Sequence, residues 1–182
     1  NTGVTPINLA LDPELAAPES YTLNINTASI LIRAADSAGA FYACQTLLQL
    51  WPTTSAAQEL PLLDIADHPE YAWRGMHLDC SRHFFTVDFI KRYIDLLALH
   101  KMNRFHWHLC DDQGWRLESQ QYPRLTDVGA WRDRSVVGHT ANRERCYEEQ
   151  PYGGFYTREQ VREVVGYAAQ RQIEVLPEID IP

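Results

Sequence analysis

The stretch RFHWHLCDDQGW, residues 104–115, begins as a predicted β-strand and ends in acidic and other polar residues. Apolar residues alternate with His106 and His108, so the two histidines share one face of the strand. Asp111 and Asp112 follow at its end. In parallel α/β folds, ligands bind beyond the carboxyl ends of the strands. This stretch therefore predicts both a core strand and a polar site at its tip.

Predicted helices and strands alternate on either side of this strand. Upstream lie a strand, WRGMHLDC (73–80), and a helix, TVDFIKRYIDLLALHK (86–101). Downstream lie a second helix, TREQVREVVGYAAQRQ (157–172), and a further strand, IEVLPEIDI (173–181). The order β-α-β-α-β favours a parallel sheet with right-handed crossovers.

Local signals predict where these helices begin and end. Thr86 is the expected N-cap of the first helix, and His100 and Lys101 are expected in its last turn, where positive charge suits the helix dipole. The second helix opens with a capping box from Thr157 to Gln160. Its expected buried residues are Val161, Val164, Val165 and Ala168.

Two strands raise questions of geometry. Strict alternation places Asp111 on the face opposite His106 and His108, so we expect the strand to end near Cys110. In the last strand, Pro177 predicts a bulge or an early end, because proline cannot donate to the sheet ladder.

About 45 residues, 112–156, connect the central strand to the second helix. Connections longer than roughly 12–15 residues are usually functional or disordered. The aromatic residues of this one predict an ordered structure: Trp115, Trp131, Tyr147, Tyr152, Phe155 and Tyr156.

Residues 1–69 form a separate predicted unit of small α+β type. Apolar, β-branched residues predict strands at 21–27 and 29–35. A helix follows at 36–51, with Asp36 or Ser37 as its N-cap and Pro52 after its end. The segment LPLLDIADHP (60–69) predicts one more short strand.

Composition excludes several classes of partner. The chain of 182 residues carries a formal charge of -8 without a cluster of basic residues, so nucleic-acid binding is not expected. Its apolar runs are shorter than the roughly 20 residues of a membrane span, and its N-terminus lacks the pattern of a signal peptide. The four cysteines form no CxxC pair, and a Cys80–Cys110 disulfide is conceivable but disfavoured. No metal and no cofactor is expected.

All three strands of the second half end in carboxylates. The ends are DCSRH (79–83), HLCDD (108–112) and EID (178–180). One polar strand end would be a solvated tip, but three on neighbouring strands favour a shared pocket.

Two kinds of pocket fit these residues. His106 and His108 match the HxH pair that opens the site of metal-dependent barrel hydrolases, although deep histidines are more often core residues that hydrogen-bond to carboxylates. Alternatively, Arg82, Asp111 and Asp180 could hold the hydroxyls of a sugar by charge-assisted hydrogen bonds. Trp115 and Trp131 could then pack on the sugar ring.

Residues 72–182 closely resemble the first part of the catalytic barrel of family 20 glycoside hydrolases, the β-N-acetylhexosaminidases. The resemblance lies in DCSRHFF (79–85), KMNRFHWHLCDDQGWR (101–116) and PEIDIP (177–182), and is broken only near 135–150. AGAFYACQTLLQL (38–50) more weakly resembles the α/β domain that precedes that barrel. The resemblance implies a partial (β/α)8 TIM barrel of three βα units over residues 70–182, after the end of an accessory domain over residues 1–69.

The resemblance also implies roles for three residues. Arg82 and Asp111 would grip the outer hydroxyls of the terminal sugar, and Asp180 would support the catalytic centre by orienting a histidine beyond Pro182. The family's mechanism is retaining and substrate-assisted. Its Asp-Glu pair, which includes the general acid, would lie beyond residue 182, so the chain alone is expected to be inactive.

The implied substrates are chitin oligosaccharides or glycoconjugates that end in GlcNAc or GalNAc, and a periplasmic or secreted location is favoured. A metal-dependent hydrolase that uses His106 and His108, and a non-catalytic glycan-binding module, remain as alternatives.

Overall fold

A computed structural model of the chain describes residues 5–15, 17–52, 59–138 and 146–181. The chain divides into two compact units, residues 1–74 with 98–101, and residues 75–97 with 102–182. Of the connection predicted to be ordered, residues 139–145 lie outside the described residues, as does Pro182. Among the described helices, none is both long enough and apolar enough to cross a bilayer.

The first unit is a four-stranded sheet packed against one helix. Its strands are β1 (Ile7–Leu11), β2 (Tyr21–Ile25), β3 (Ile30–Ala34) and β4 (Leu63–Asp67), in the order β1-β3-β2-β4. β1 runs parallel to β3, whereas β2 is antiparallel to both β3 and β4. The sequence analysis predicted the last three strands and missed β1.

Helix α1 (Ser37–Leu50) covers the sheet of the first unit. Of the two proposed N-caps, Asp36 is the actual one, because its side chain accepts a hydrogen bond from the Gly39 N–H at 2.8 Å. The helix buries Tyr42, Ala43 and Leu47 against the apolar face of β2 and β3. This packing removes apolar surface from water and forms the core of the unit.

The second unit contains a parallel sheet in the order β12-β6-β5. Its strands are β5 (Gly75–Asp79), β6 (Arg104–Asp111) and β12 (Glu174–Ile179), and β6 pairs in parallel with both neighbours. Phe105 and Trp107 are fully buried, and their rings contact Tyr93 and Tyr156. The predicted parallel arrangement of these three strands is therefore present.

Helices α2 (Val87–Leu99) and α4 (Arg158–Ala169) follow β5 and β6. The predicted capping box of α4 is formed, with Thr157 accepting from the Gln160 N–H and Gln160 accepting from the Thr157 N–H. Two details were wrong. α2 ends at Leu99, and Lys101 adopts a left-handed φ of 55° just beyond it. Of the residues expected to be buried on α4, Val164 and Ala168 are, whereas Val161 is only partly buried and Val165, which lies off the buried face, is 44% exposed.

The long connection is ordered where it is described. It contains β7 (Gly114–Trp115), α3 (Arg124–Asp127), β8 (Trp131–Arg132), β9 (Val136–Val137), β10 (Cys146–Tyr147) and β11 (Tyr152–Gly153). β8 pairs with β11 and β9 with β10, whereas β7 pairs antiparallel with the end of β6. The four cysteines carry no disulfide, and Cys80 and Cys110 are buried as thiols.

Candidate active site

One face of the parallel sheet carries two rows of side chains, set by the strand register. Glu178 on β12 lies opposite His108 on β6, which lies opposite Asp79 on β5. Two residues earlier on each strand, His106 lies opposite His77. Because residues in register on neighbouring strands project from the same face, these polar groups meet above the sheet.

An irregularity in the register brings Asp111 to the same side as His108. β6 ends near Cys110, as the alternation argument predicted, but Asp111 is still its last residue and pairs with Gly114 of β7. The pairing with β12 instead shifts between Glu178 and Ile179, so that Leu109 is passed over and Cys110 faces Ile179. One extra residue changes the parity of the pleat, which explains how the Asp111 carboxylate comes within 3.1 Å of His108 Nε2. Of the two outcomes predicted from Pro177, a bulge or an early end, the early end was wrong, because Pro177 stays in the strand opposite Trp107; the shift just after Glu178 agrees with a bulge.

Arg82 lies in the turn after β5 and reaches three groups. Its Nη2 lies 2.6 Å from Asp111 Oδ2, and its Nη1 lies 3.2 Å from Asp79 Oδ2 and 3.1 Å from His108 Nε2. Asp79 also accepts the backbone N–H groups of Ser81 and Arg82 at 3.0 Å, which fixes the turn. The arginine side chain remains half exposed, whereas the Asp111 side chain is 16% exposed, so the guanidinium is the more accessible partner of the pair.

Asp180 lies just beyond β12, where its backbone N–H donates to the Cys110 carbonyl at 3.0 Å. A carboxylate oxygen of Asp180 lies within 4.8 Å of ring and carboxylate atoms of His108 and Asp111. The three residues singled out from the sequence are thus brought to one end of one sheet.

The charges of the site alter its pKa values. The pKa of Asp111 is lowered, first by a hydrogen bond from the Asp112 N–H and also by the charge of Arg82. The pKa of Glu178 is lowered, chiefly by its hydrogen bond with His108. Burial opposes protonation of His108, but Glu178 and the other carboxylates outweigh burial and raise its pKa.

Two groups in the described chain have the spacing of metal ligands: His77, His108 and Glu178, and His108, Asp111 and Asp180. In both groups, however, the ring nitrogens of His108 already lie at hydrogen-bonding distance from carboxylates, 3.1 Å from Asp111 Oδ2 and 2.6 Å from Glu178 Oε2. Glu178 Oε2 lies 2.6 Å from His108 Nδ1 and 2.7 Å from His106 Nε2. A metal would have to displace these contacts, so the geometry favours a hydrogen-bonded cluster of histidines and carboxylates.

The aromatic connection supports the turn that carries Arg82. Arg132 donates from Nη2 to the Arg82 carbonyl at 2.8 Å, and Tyr152 donates its hydroxyl to the Phe84 carbonyl at 2.9 Å. Of the tryptophans proposed to pack on a sugar, Trp131 is half exposed, and Trp115 donates its indole N–H to the Leu117 carbonyl. The connection therefore helps to position Arg82.

Sequence reasoning missed the roles of three residues. It noted Glu178 only as a strand end, and it did not single out His77, although His77 precedes Asp79 by two residues and so shares its face. It also missed Arg116, which is fully buried. No local signal reveals a buried arginine, because its acceptors come from distant segments of the chain.

Comparison with known proteins identifies the family. Residues 71–182 match glycosyl hydrolase family 20, catalytic domain, and residues 1–68 match glycosyl hydrolase family 20, domain 2. The chain belongs to glycosyl hydrolase family 20.

Two curated proteins from Vibrio species are similar to this chain. A beta-hexosaminidase of Vibrio furnissii is 44% identical over 163 residues, which cover 90% of this chain and 26% of that protein. An N,N'-diacetylchitobiase of Vibrio harveyi is 36% identical over 202 residues, which cover 99% of this chain and 21% of that protein. The chain thus spans about a quarter of the length of these curated relatives.

Solved structures of family 20 enzymes have the same fold. The exo beta-N-acetylglucosaminidase of Vibrio harveyi, solved in complex with N-acetylglucosamine, gives a TM-score of 0.85 at 44% identity, covering 97% of this chain and 27% of that one. A mutant Streptomyces plicatus beta-hexosaminidase in complex with its product GlcNAc gives a TM-score of 0.82 at 40% identity, covering 97% and 34%.

Proposed function

We propose that this chain is part of a retaining exo-β-N-acetylhexosaminidase and forms the part of its site that holds the terminal N-acetylhexosamine. The Arg82–Asp111 pair at the carboxyl ends of β5 and β6, 2.6 Å apart, supports this proposal most directly. The names of the relatives, beta-hexosaminidase and N,N'-diacetylchitobiase, agree with it.

The chemistry of the pair suits neutral hydroxyl groups. A guanidinium presents several N–H donors in one plane, and a carboxylate beside it presents acceptors. Vicinal hydroxyls of a sugar donate and accept at the same time, so they match such a pair by charge-assisted hydrogen bonds. Asp79, Asp111 and Glu178 add negative charge around Arg82, which disfavours phosphate or carboxylate ligands.

The proposed reaction is substrate-assisted, so the 2-acetamido oxygen of the substrate would attack C1. The Asp-Glu pair that would hold the acetamido N–H and protonate the leaving oxygen lies beyond residue 182 in this proposal. Asp180 would act behind the catalytic centre as a supporting residue. The 182-residue chain would therefore bind the sugar without hydrolysing it.

The parallel sheet supports the proposed architecture. Three parallel strands, each followed by a helix or by the end of the chain, would be the first three βα units of a (β/α)8 barrel over residues 70–182. Residues 1–69 would be the end of the preceding accessory domain.

The test compares two proteins: the 182-residue chain and the product of the complete reading frame that contains it. Turnover of 4-nitrophenyl N-acetyl-β-glucosaminide is measured for both, and for each carrying Arg82→Ala or the control Arg162→Ala, a side chain that is 72% exposed on α4. We expect turnover only by the longer protein, a loss of at least about 100-fold with Arg82→Ala from two or more lost hydrogen bonds to a charged group, and little change with Arg162→Ala.

The possible outcomes separate this proposal from its alternatives. Turnover by the purified 182-residue chain would contradict the proposal that the general acid lies beyond residue 182. Sugar binding by both proteins without turnover by either, lost on Arg82→Ala, would indicate a glycan-binding module. One equivalent of zinc per chain by elemental analysis, lost on His108→Ala, would indicate a metal-dependent hydrolase.

A further inference from the structure

Glu178 lies among three imidazole rings on the open face of the parallel sheet. Its Oε2 is 2.6 Å from His108 Nδ1, 2.7 Å from His106 Nε2 and 3.9 Å from His77 Nε2. The proposed function assigns no role to this carboxylate. Its position opposite His108 in the strand register holds it there.

The contact with Glu178 sets the orientation of the His108 ring. With Nδ1–H donating to Glu178, the other ring nitrogen, Nε2, points at the sugar-binding pair, 3.1 Å from Asp111 Oδ2 and 3.1 Å from Arg82 Nη1. The His108 side chain is only 4% exposed, so it is packed in this orientation. A carboxylate that fixes one nitrogen of an imidazole thereby fixes what the other nitrogen can do.

The protonation state of His108 determines whether Nε2 hydrogen-bonds to Asp111 or to Arg82. As an imidazolium, it donates from Nε2 to Asp111; as a neutral ring with the proton on Nδ1, it accepts from Arg82. Titratable and charged groups from three strands surround it: Asp79, His77 and Arg82 from β5 and its turn, His106 and Asp111 from β6, and Glu178 and Asp180 from β12 and its end.

Four of these groups are carboxylates and one is a guanidinium, so the surroundings favour the imidazolium. Burial opposes this charge, but the hydrogen bond and charge of Glu178 oppose burial most strongly and leave the pKa of His108 raised.

We propose that Glu178 is a positioning residue. Its contact with Nδ1 orients the His108 ring so that Nε2 contacts Arg82 and Asp111 and stabilises this pair in its sugar-binding geometry. The proposal rests on the proposed function of that pair. Without the Glu178 charge, His108 loses its proton at a lower pH, and the Arg82–Asp111 pair loses the Nε2–H donor to Asp111.

The test uses Glu178→Gln, which keeps the shape of the side chain and removes its charge, with Glu178→Asp as the variant that restores the charge. Glu174→Gln is the matched control, because Glu174 lies on the same strand with a more exposed side chain paired to Arg104. The His108 ring is titrated by NMR in the 182-residue chain. KM and kcat for 4-nitrophenyl N-acetyl-β-glucosaminide are measured against pH in the complete protein.

We expect Glu178→Gln to lower the pKa of His108 and Glu174→Gln to leave it unchanged. In the complete protein, Glu178→Gln should raise KM about tenfold, as for the loss of one charge-assisted hydrogen bond, with a smaller change in kcat. The rise in KM should begin at a lower pH than in the parent. Glu178→Asp should restore the pKa of His108 and part of KM.

The outcomes test this proposal separately from the proposed function. If Glu178→Gln leaves the His108 titration unchanged, Glu178 does not hold the ring, whether or not the protein is active. If the His108 titration shifts but KM stays within about twofold of the parent, the proposal that His108 stabilises the Arg82–Asp111 pair is wrong. If the complete protein carrying native Glu178 neither binds nor hydrolyses the substrate, the proposed function fails, and this inference about sugar binding fails with it.

Discussion

The buried arginine Arg116 gives the sharpest test of how the site is supported. Its side chain is fully buried, and its four acceptors in the described chain are all backbone carbonyls. Nε donates to Cys80 O at 3.0 Å, Nη2 to Ser81 O at 2.8 Å, and Nη1 to Ala130 O and Gly154 O at 2.6 and 3.0 Å. One guanidinium therefore joins the turn before Arg82 to two segments of the long connection.

Replacing Arg116 with methionine removes every donor but keeps a long apolar side chain. Ala130 O also accepts from the Gly154 N–H at 3.2 Å, so it keeps a partner, whereas the other three carbonyls lose the arginine. Each buried unsatisfied carbonyl costs about 1–3 kcal/mol, which sums to about 3–9 kcal/mol. Removing a buried charge returns several kcal/mol of desolvation, so we expect Arg116→Met to lower the free energy of unfolding by about 3–5 kcal/mol.

The measurement is urea unfolding of the 182-residue chain, followed by tryptophan fluorescence, which includes the buried Trp107. Arg162→Met is the control, because this arginine is 72% exposed and its ion pair with Glu159 is 3.3 Å long; we expect a change within about 0.5 kcal/mol. A loss below about 1 kcal/mol for Arg116→Met would refute the reasoning, since the three carbonyls would then have found other partners.

Three further predictions concern the helix cap, the sugar-binding pair and the buried histidine. Thr157→Ala should lower the free energy of unfolding by about 1 kcal/mol in urea, whereas Thr157→Ser should retain most of the capping box; equal effects would contradict its role. Arg82→Lys should raise KM at least about tenfold in the complete protein, because one ammonium cannot span the partners of a guanidinium; an unchanged KM would show that charge alone suffices. The raised pKa of His108 adds stability that is fully present below its ordinary value of 6.5 and is lost as pH rises through the folded-state value. In urea, the free energy of unfolding of the parent should fall between about pH 6 and 9, and that of His108→Gln should fall less. Identical slopes of this free energy against pH in the two proteins would contradict the role of His108.

Much of the second unit was predictable because its signals are local. The alternation through His106 and His108, together with the capping box of Thr157 and Gln160, predicted a strand and a helix that are both present. The same segments carry the motifs that resemble family 20, and the family is confirmed by the match over residues 71–182.

The errors occurred where distant segments decide the structure. Every residue of β1 is exposed, so the strand buries no apolar face, and its pairing with β3 defines it as a strand. Val165 has the spacing of a buried helix residue, yet it lies off the contact face of α4. Propensity and periodicity describe a segment, but burial also depends on what packs against it.

By itself, the sequence determined the order of the three long strands and two long helices of the second unit and the polar residues at the strand ends, because residue type and spacing act within a few residues. Only the tertiary structure decided which of those residues meet. The register shift beside Leu109 turns Asp111 toward His108, and Glu178 reaches both His106 and His108 from the neighbouring strand. These contacts depend on hydrogen-bond pairing between strands far apart in the chain, and one added residue in that pairing reverses the face on which a side chain lies.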